Sequence, residues 1–127
     1  MKSCVLCYNL KGTKKEKQIT MIFGFLGYRV RHVKKEEYLQ PIGELAGVLE
    51  KKETAAYDGE GFEDEMLIMN PAAEEMLNKA LFLMKKEKVQ VALKAVVTPN
   101  NSGWTSLALY EEIRQEHEYM TQKEKER

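Results

Sequence analysis

The sequence predicts an α/β fold of three layers, with helices on both faces of a four-stranded parallel sheet. Three observations carry that reading. Met66 to Met69 is an apolar run that stops at Asn70-Pro71, and a helical segment from Ala72 to Lys88 follows it. A second run, Val89 to Val97, stops at Thr98-Pro99-Asn100-Asn101-Ser102-Gly103-Trp104 before a last helical segment. A buried strand turning through a polar loop into a helix, twice over, is the pattern of parallel βα units. Near the start, Ser3 to Asn9 is an almost unbroken apolar run, suited to a central strand, and Tyr28 to Val33 alternates like an edge strand with one solvated face. Right-handed crossovers then place the strands in the order 2-1-3-4. The alternative is a ferredoxin-like βαββαβ sheet, which makes strands two and three antiparallel neighbours. The gap from Val33 to Met66 is long for such a hairpin, and the final helix has a place only in the parallel arrangement.

Each element has its own signals. After a turn at Lys11-Gly12, Thr13 and Glu16 form the T-x-x-E pattern that opens a helix. Ile19, Ile22, Phe23 and Leu26 form its apolar stripe, and Gly27 ends it. Gly24, inside that helix, points to a close contact. Gln40-Pro41 opens a short helical turn holding Ile42, Leu45 and Leu49. From Glu50 to Glu65 the chain is acidic and without period, and the whole 34–65 segment reads as a mobile flap or partner surface. Asn70 and Pro71 suit the N-cap and first position of the third-strand helix, whose stripe is Ala73, Leu77, Ala80 and Met84. Thr105 or Ser106 caps the last helix, with Leu109, Ile113, His117 and Met120 facing inward. Residues 1–120 are expected to form one domain, and 121–127 a frayed tail.

Composition excludes several classes. No apolar run reaches the ~20 residues of a membrane span, and the short apolar start ends at Asn9 with lysines close behind, so no secretory signal is expected. The default location is cytoplasmic, with no membrane association. Formal charge is zero, yet residues 1–35 carry nine Lys/Arg against one Glu, and residues 36–70 carry two Lys against ten Asp/Glu. The balanced total disfavours a dedicated nucleic-acid partner, leaving only a weak binder through the basic first third as an option. Cys4 and Cys7 are the only cysteines. Three residues apart on a strand, they point to opposite faces and read as buried core thiols. No cofactor or metal is expected, since two histidines and one CxxC make no ligand set.

In an open parallel sheet of this order a ligand would sit beyond the carboxyl ends of strands one and three. The crevice there would be lined by Tyr8, Asn9, Asn70 and the Thr98, Asn100, Asn101 and Trp104 side chains, with Gln40 at its border. These groups make a hydrogen-bonding rim and no acid–base pair, so no catalytic residue is assigned. Lys94, alone in its strand, is the one candidate for a reactive amine; a small enzyme using Lys94 or a thiol is the rival reading.

Several stretches add a resemblance. "CYNL", "YLQPIGELAG", "FEDEMLIMN" and "ALKAVVTPNNSGWTSLALYEEI" resemble a small bacterial family catalogued as a domain of unknown function. That resemblance implies a fold unit in a cytoplasmic bacterial protein and no particular chemistry. The Lys-Ala-Val-Val-Thr-Pro run echoes the last strand of response-regulator receiver domains. The acidic pocket of a receiver has no counterpart here, since strand one ends in Tyr8-Asn9 and strand three in Met69-Asn70. The expected function is a non-enzymatic binding or regulatory domain. Its partner is an unidentified small molecule or protein, a second copy in a homodimer among the candidates.

Overall fold

The computed structural model describes residues 2–125. Strand β1 (Cys4–Tyr8) leads into helix α1 (Lys14–Phe25) and strand β2 (Arg29–His32). A 3₁₀ turn at Lys35–Glu37 and a four-residue helix α2 (Ile42–Leu45) follow. Then come β3 (Met66–Asn70), α3 (Glu74–Lys86), β4 (Leu93–Val96) and α4 (Ser106–Lys125). The sheet order is β2-β1-β3-β4, as the sequence predicts, with β2 at an edge.

The sheet is mixed, however, and not all parallel. β1 pairs with β2, and β3 with β4, in parallel, but β1 and β3 run antiparallel with Leu6 opposite Ile68. The cause is where the long connection returns. It leaves β2 with the Val33 N–H on the Cys7 carbonyl, crosses one face of the sheet, and comes back to the same end. There the Asn9 side-chain amide donates to the carbonyls of Phe62 and Asp64, both at 2.9 Å. A parallel β3 would need a crossover helix to carry the chain the length of the sheet, and α2 is only one turn long. The ferredoxin-like arrangement is also absent, because β3 pairs with β1 and β4 instead of β2.

Both faces of the sheet are covered. Val5, Cys7, Leu67 and Met69 point toward α1 and α3, with Ile19, Ile22, Phe23, Ala80 and Met84 facing them. Cys4, Leu6, Tyr8, Met66 and Ile68 point the other way, under α4 and the 34–62 connection. The two thiols are therefore free, buried and on opposite faces. The connection is not the loosely held flap that its weak periodicity suggests. Tyr38, Ile42, Leu45, Ala46 and Phe62 are core residues, and only the stretch from Gly47 to Ala56 is exposed throughout. Arg31, on the β2 face expected to be solvated, is covered by this segment and pairs with Glu37 at 2.5 Å.

Smaller departures have local causes. Asn70 completes β3 and is buried, so α3 begins later, at Glu74 with Ala73 as N-cap. Val89 and Val91 are buried but precede β4, which starts only at Leu93. In α4, Leu109 is buried while His117 and Met120 are exposed. The helix runs on through Lys125, into the segment expected to fray; the last two residues lie outside the described region. Gly24 meets no neighbour within 4 Å, so no close contact explains it. Gly43 does have such a contact: a Cβ there would lie 2.7 Å from the Ser102 carbonyl oxygen.

Two glycine substitutions should therefore differ in sign. Gly24→Ala is expected to stabilise by ~0.5–1 kcal/mol through helix propensity. Gly43→Ala should cost roughly 1–3 kcal/mol, because α2 must lift off the loop after β4. Urea unfolding of the two variants measures both.

Candidate functional site

The antiparallel β1/β3 pair divides the residues that the sequence groups into one crevice. Tyr8 and Asn9 end β1 at one end of the sheet, where Tyr8 lies opposite Met66. Asn70 lies opposite Cys4 at the other end, and the 98–104 loop follows β4 there. The Tyr8 ring lies in the core, with its hydroxyl 2.7 Å from that of Ser106. Burial drives the Tyr8 hydroxyl far above the usual phenol range, with Ser106 opposing. Gln40 is buried beside Pro41, which bridges to Thr105. Asn101 folds its own loop: its side chain accepts the Thr98 N–H at 2.8 Å and donates to the Val96 carbonyl at 3.0 Å. Asn100 is exposed, and Trp104 is half-buried with its carbonyl on the Ile42 N–H. These eight residues are not assembled around one cavity.

A cleft of about 1000 Å³ lies elsewhere, around the start of β4. Its walls come from α3 on one face of the sheet and α4 on the other, with the Val89–Leu93 approach to β4 between them. Six basic or imidazole side chains face it, namely Lys15, Lys85, Lys88, Lys94, Arg114 and His117, against Asp64, Glu65 and Glu118. The acids are engaged. Glu65 binds Lys15 at 2.7 Å, Glu118 binds Arg114 at 2.6 Å, and Asp64 accepts the Tyr110 hydroxyl at 2.7 Å. Glu111 also grips Arg114, which holds that guanidinium charged and lowers the Glu111 carboxyl. Lys94 donates to the Val91 carbonyl at 2.6 Å and is exposed, so it is not a desolvated amine. Lys85 and Lys88 have no carboxylate partner among the described residues.

Tyr110, which holds Asp64 of the cleft, belongs to an aromatic stack. The Phe62 and Tyr110 rings lie 3.9 Å apart and nearly parallel, and Phe62 also stacks on Tyr38 at 4.8 Å. Burial, then the hydrogen bond to Asp64, push the Tyr110 hydroxyl up to about 12, so it stays a donor. Lys88 has an unusual backbone. The ends of α1 and α3 share one motif, in which Tyr28 N–H bonds the Phe23 carbonyl and Val89 N–H the Met84 carbonyl. In α1 the left-handed position of that motif is Gly27 (φ 88°); in α3 it is Lys88 (φ 57°). An L residue there costs roughly 1–2 kcal/mol.

Sequence reasoning missed this cleft, because its cations, from Lys15 to Arg114, lie far apart along the chain. The missing glycine after α3 was the available signal. Every cleft residue but Lys15 and Asp64 falls between Glu65 and Glu118. Residues 65–120 match a domain of unknown function, DUF3783. The match takes in β3, α3, β4 and α4 as far as Met120; the "CYNL" and "YLQPIGELAG" stretches lie outside it. No curated protein and no solved structure matches the chain. Among the described residues no group of three His, Cys, Asp or Glu could hold a metal, and no helix is long and apolar enough to cross a membrane.

Burial first, then Cys4 and Glu16, push the Cys7 thiol up to about 12. A thiol reagent should therefore leave Cys4 and Cys7 unmodified in the native protein and label both once denaturant is added. Since the folded-state pKa is raised, Cys7 supports the fold fully below its unfolded value of about 8.5. That support is lost as pH rises from there toward 12. The melting temperature should fall over that range, and fall less steeply in Cys7→Ala, measured against its own neutral-pH value.

Proposed function

We propose that this protein is a non-enzymatic binding domain that takes a multiply charged anion in the cleft at the start of β4. The excess of cationic side chains there supports it, with Lys85 and Lys88 lacking any acidic partner among the described residues. Exposed like charges held within one cleft repel one another, and an anion bridging them relieves that repulsion. A lysine in the left-handed position of the α3 end adds weight. Backbone strain persists where the surroundings impose it and clusters at binding sites. Arg114 faces the same cleft but is taken up by Glu111 on its Nε–Nη2 edge and by Glu118 at Nη1, so Lys85, Lys88 and Lys94 carry the attraction. The cleft carboxylates are tied to Lys15, Tyr110 and Arg114, which leaves none placed as a general base.

Calorimetric titration with inorganic pyrophosphate at low ionic strength tests the proposal. Binding that weakens steadily with added salt is the expected result. The Lys85→Glu, Lys88→Glu double variant should abolish it. Lys88→Gly separates site from scaffold: affinity should drop several-fold while stability holds or rises by up to ~1 kcal/mol as the strain is released. No binding at low salt, or binding indifferent to the double variant, overturns the reading.

A further inference from the structure

We infer that the outer face of α1 and α3 is the docking site for the second half of α4 from another copy of this chain. That face carries the most exposed large apolar side chains of the helical layers, Phe25 at 83 %, Met21 at 73 % and Phe82 at 65 %. Between the helices runs an apolar groove of about 330 Å³ lined by Gln18, Met21, Ile22, Phe25, Leu83 and Glu87. Its rim is basic. Lys14 and Lys17 precede Met21 at helical spacing, and Lys79 and Lys86 bracket Phe82 in the same way. An apolar groove edged by cations fits an amphipathic helix with an acidic flank.

α4 has that character. Its 20 residues span about 30 Å, nearly twice the length of a five-residue strand. It covers its own sheet through Leu109 and Ile113, and among the described residues beyond Arg114 only Thr121 is even partly buried. Glu116, Tyr119, Met120 and Lys123 share one side of this projecting half with Glu112 just before it; Lys123 lies over the Tyr119 ring, and Tyr119 and Met120 are 63 % and 57 % exposed. Apolar groups meet apolar groups, and glutamates meet lysines. The sheet lies between α4 and the α1/α3 layer of the same chain, so α4 cannot fold back onto that groove. Docking must join two copies, and reciprocal exchange closes them into a two-fold dimer. Arg114 and Glu118, which face the anion cleft, lie on the other side of α4, so the two sites are separate.

Sedimentation equilibrium of the full chain over a concentration series tests this. A reversible monomer–dimer equilibrium is expected. Phe25→Glu and Met120→Glu should each weaken it by about tenfold or more, with melting temperatures unchanged at concentrations where the chain is monomeric, because both side chains are exposed in the monomer. Lys17→Glu and Glu116→Lys should each weaken the dimer, and combining them in one chain should restore it. A monomer at every concentration overturns the inference. So does a dimer indifferent to Phe25→Glu and Met120→Glu, since it would use another surface.

Discussion

Everything in this fold depends on the antiparallel contact between β1 and β3, centred where Leu6 meets Ile68. Both strands are buried on both faces along their whole length. Each belongs to a strand–helix–strand unit that is parallel within itself, β1-α1-β2 or β3-α3-β4, and the two units meet chiefly through this seam and the α1–α3 contact. The seam relates them by an approximate two-fold axis through the sheet, with both helices on the same face. The shared helix-end motif, Tyr28 on Phe23 and Val89 on Met84, is what such a relation requires. The second face has no matching helix pair, and is closed by α4 and by the folded connection.

Much of this architecture is legible in the sequence, and the part that is not has a definite reason. Strand number, strand order and the buried stripes of α1 and α3 follow from local periodicity, which survives in Ile19, Ile22, Phe23, Ala80 and Met84. The direction of β3 does not follow, because a strand reads the same in either sense. That direction was set by Asn9 holding Phe62 and Asp64, and by Tyr38 and Phe62 stacking in the core. Those residues belong to a segment with no period at all, so its burial was invisible until its partners were in place. With β3 reversed, Asn70 and the 98–104 loop move to the end of the sheet opposite Asn9, and the expected crevice is not formed.

The cleft illustrates the same difficulty at a site. Its cations come from α1, from the end of α3, from β4 and from the middle of α4, and no short motif contains them. Only Lys88 left a local trace. After α1 the chain supplies Gly27 where the left-handed conformation is required, and after α3 it supplies a lysine in the same backbone position. A sequence comparison between the two ends is enough to notice the substitution, though not to see what surrounds it.

The reversed β3 also alters the electrostatics of the whole molecule. In an all-parallel doubly wound sheet every helix starts at the same end, and the partial positive charges of the helix N-termini add up there. Here α3 follows a strand running opposite to the one that precedes α1, so these two helix dipoles are opposed and largely cancel. The cleft sits at the finishing end of α3, where unsatisfied carbonyls make the backbone field negative. Whatever pull this cleft exerts on an anion must come from side-chain charge, against the local backbone. Its attraction is therefore set by the number of lysines and, unlike a backbone cradle, can be removed or reversed by substituting or acetylating them.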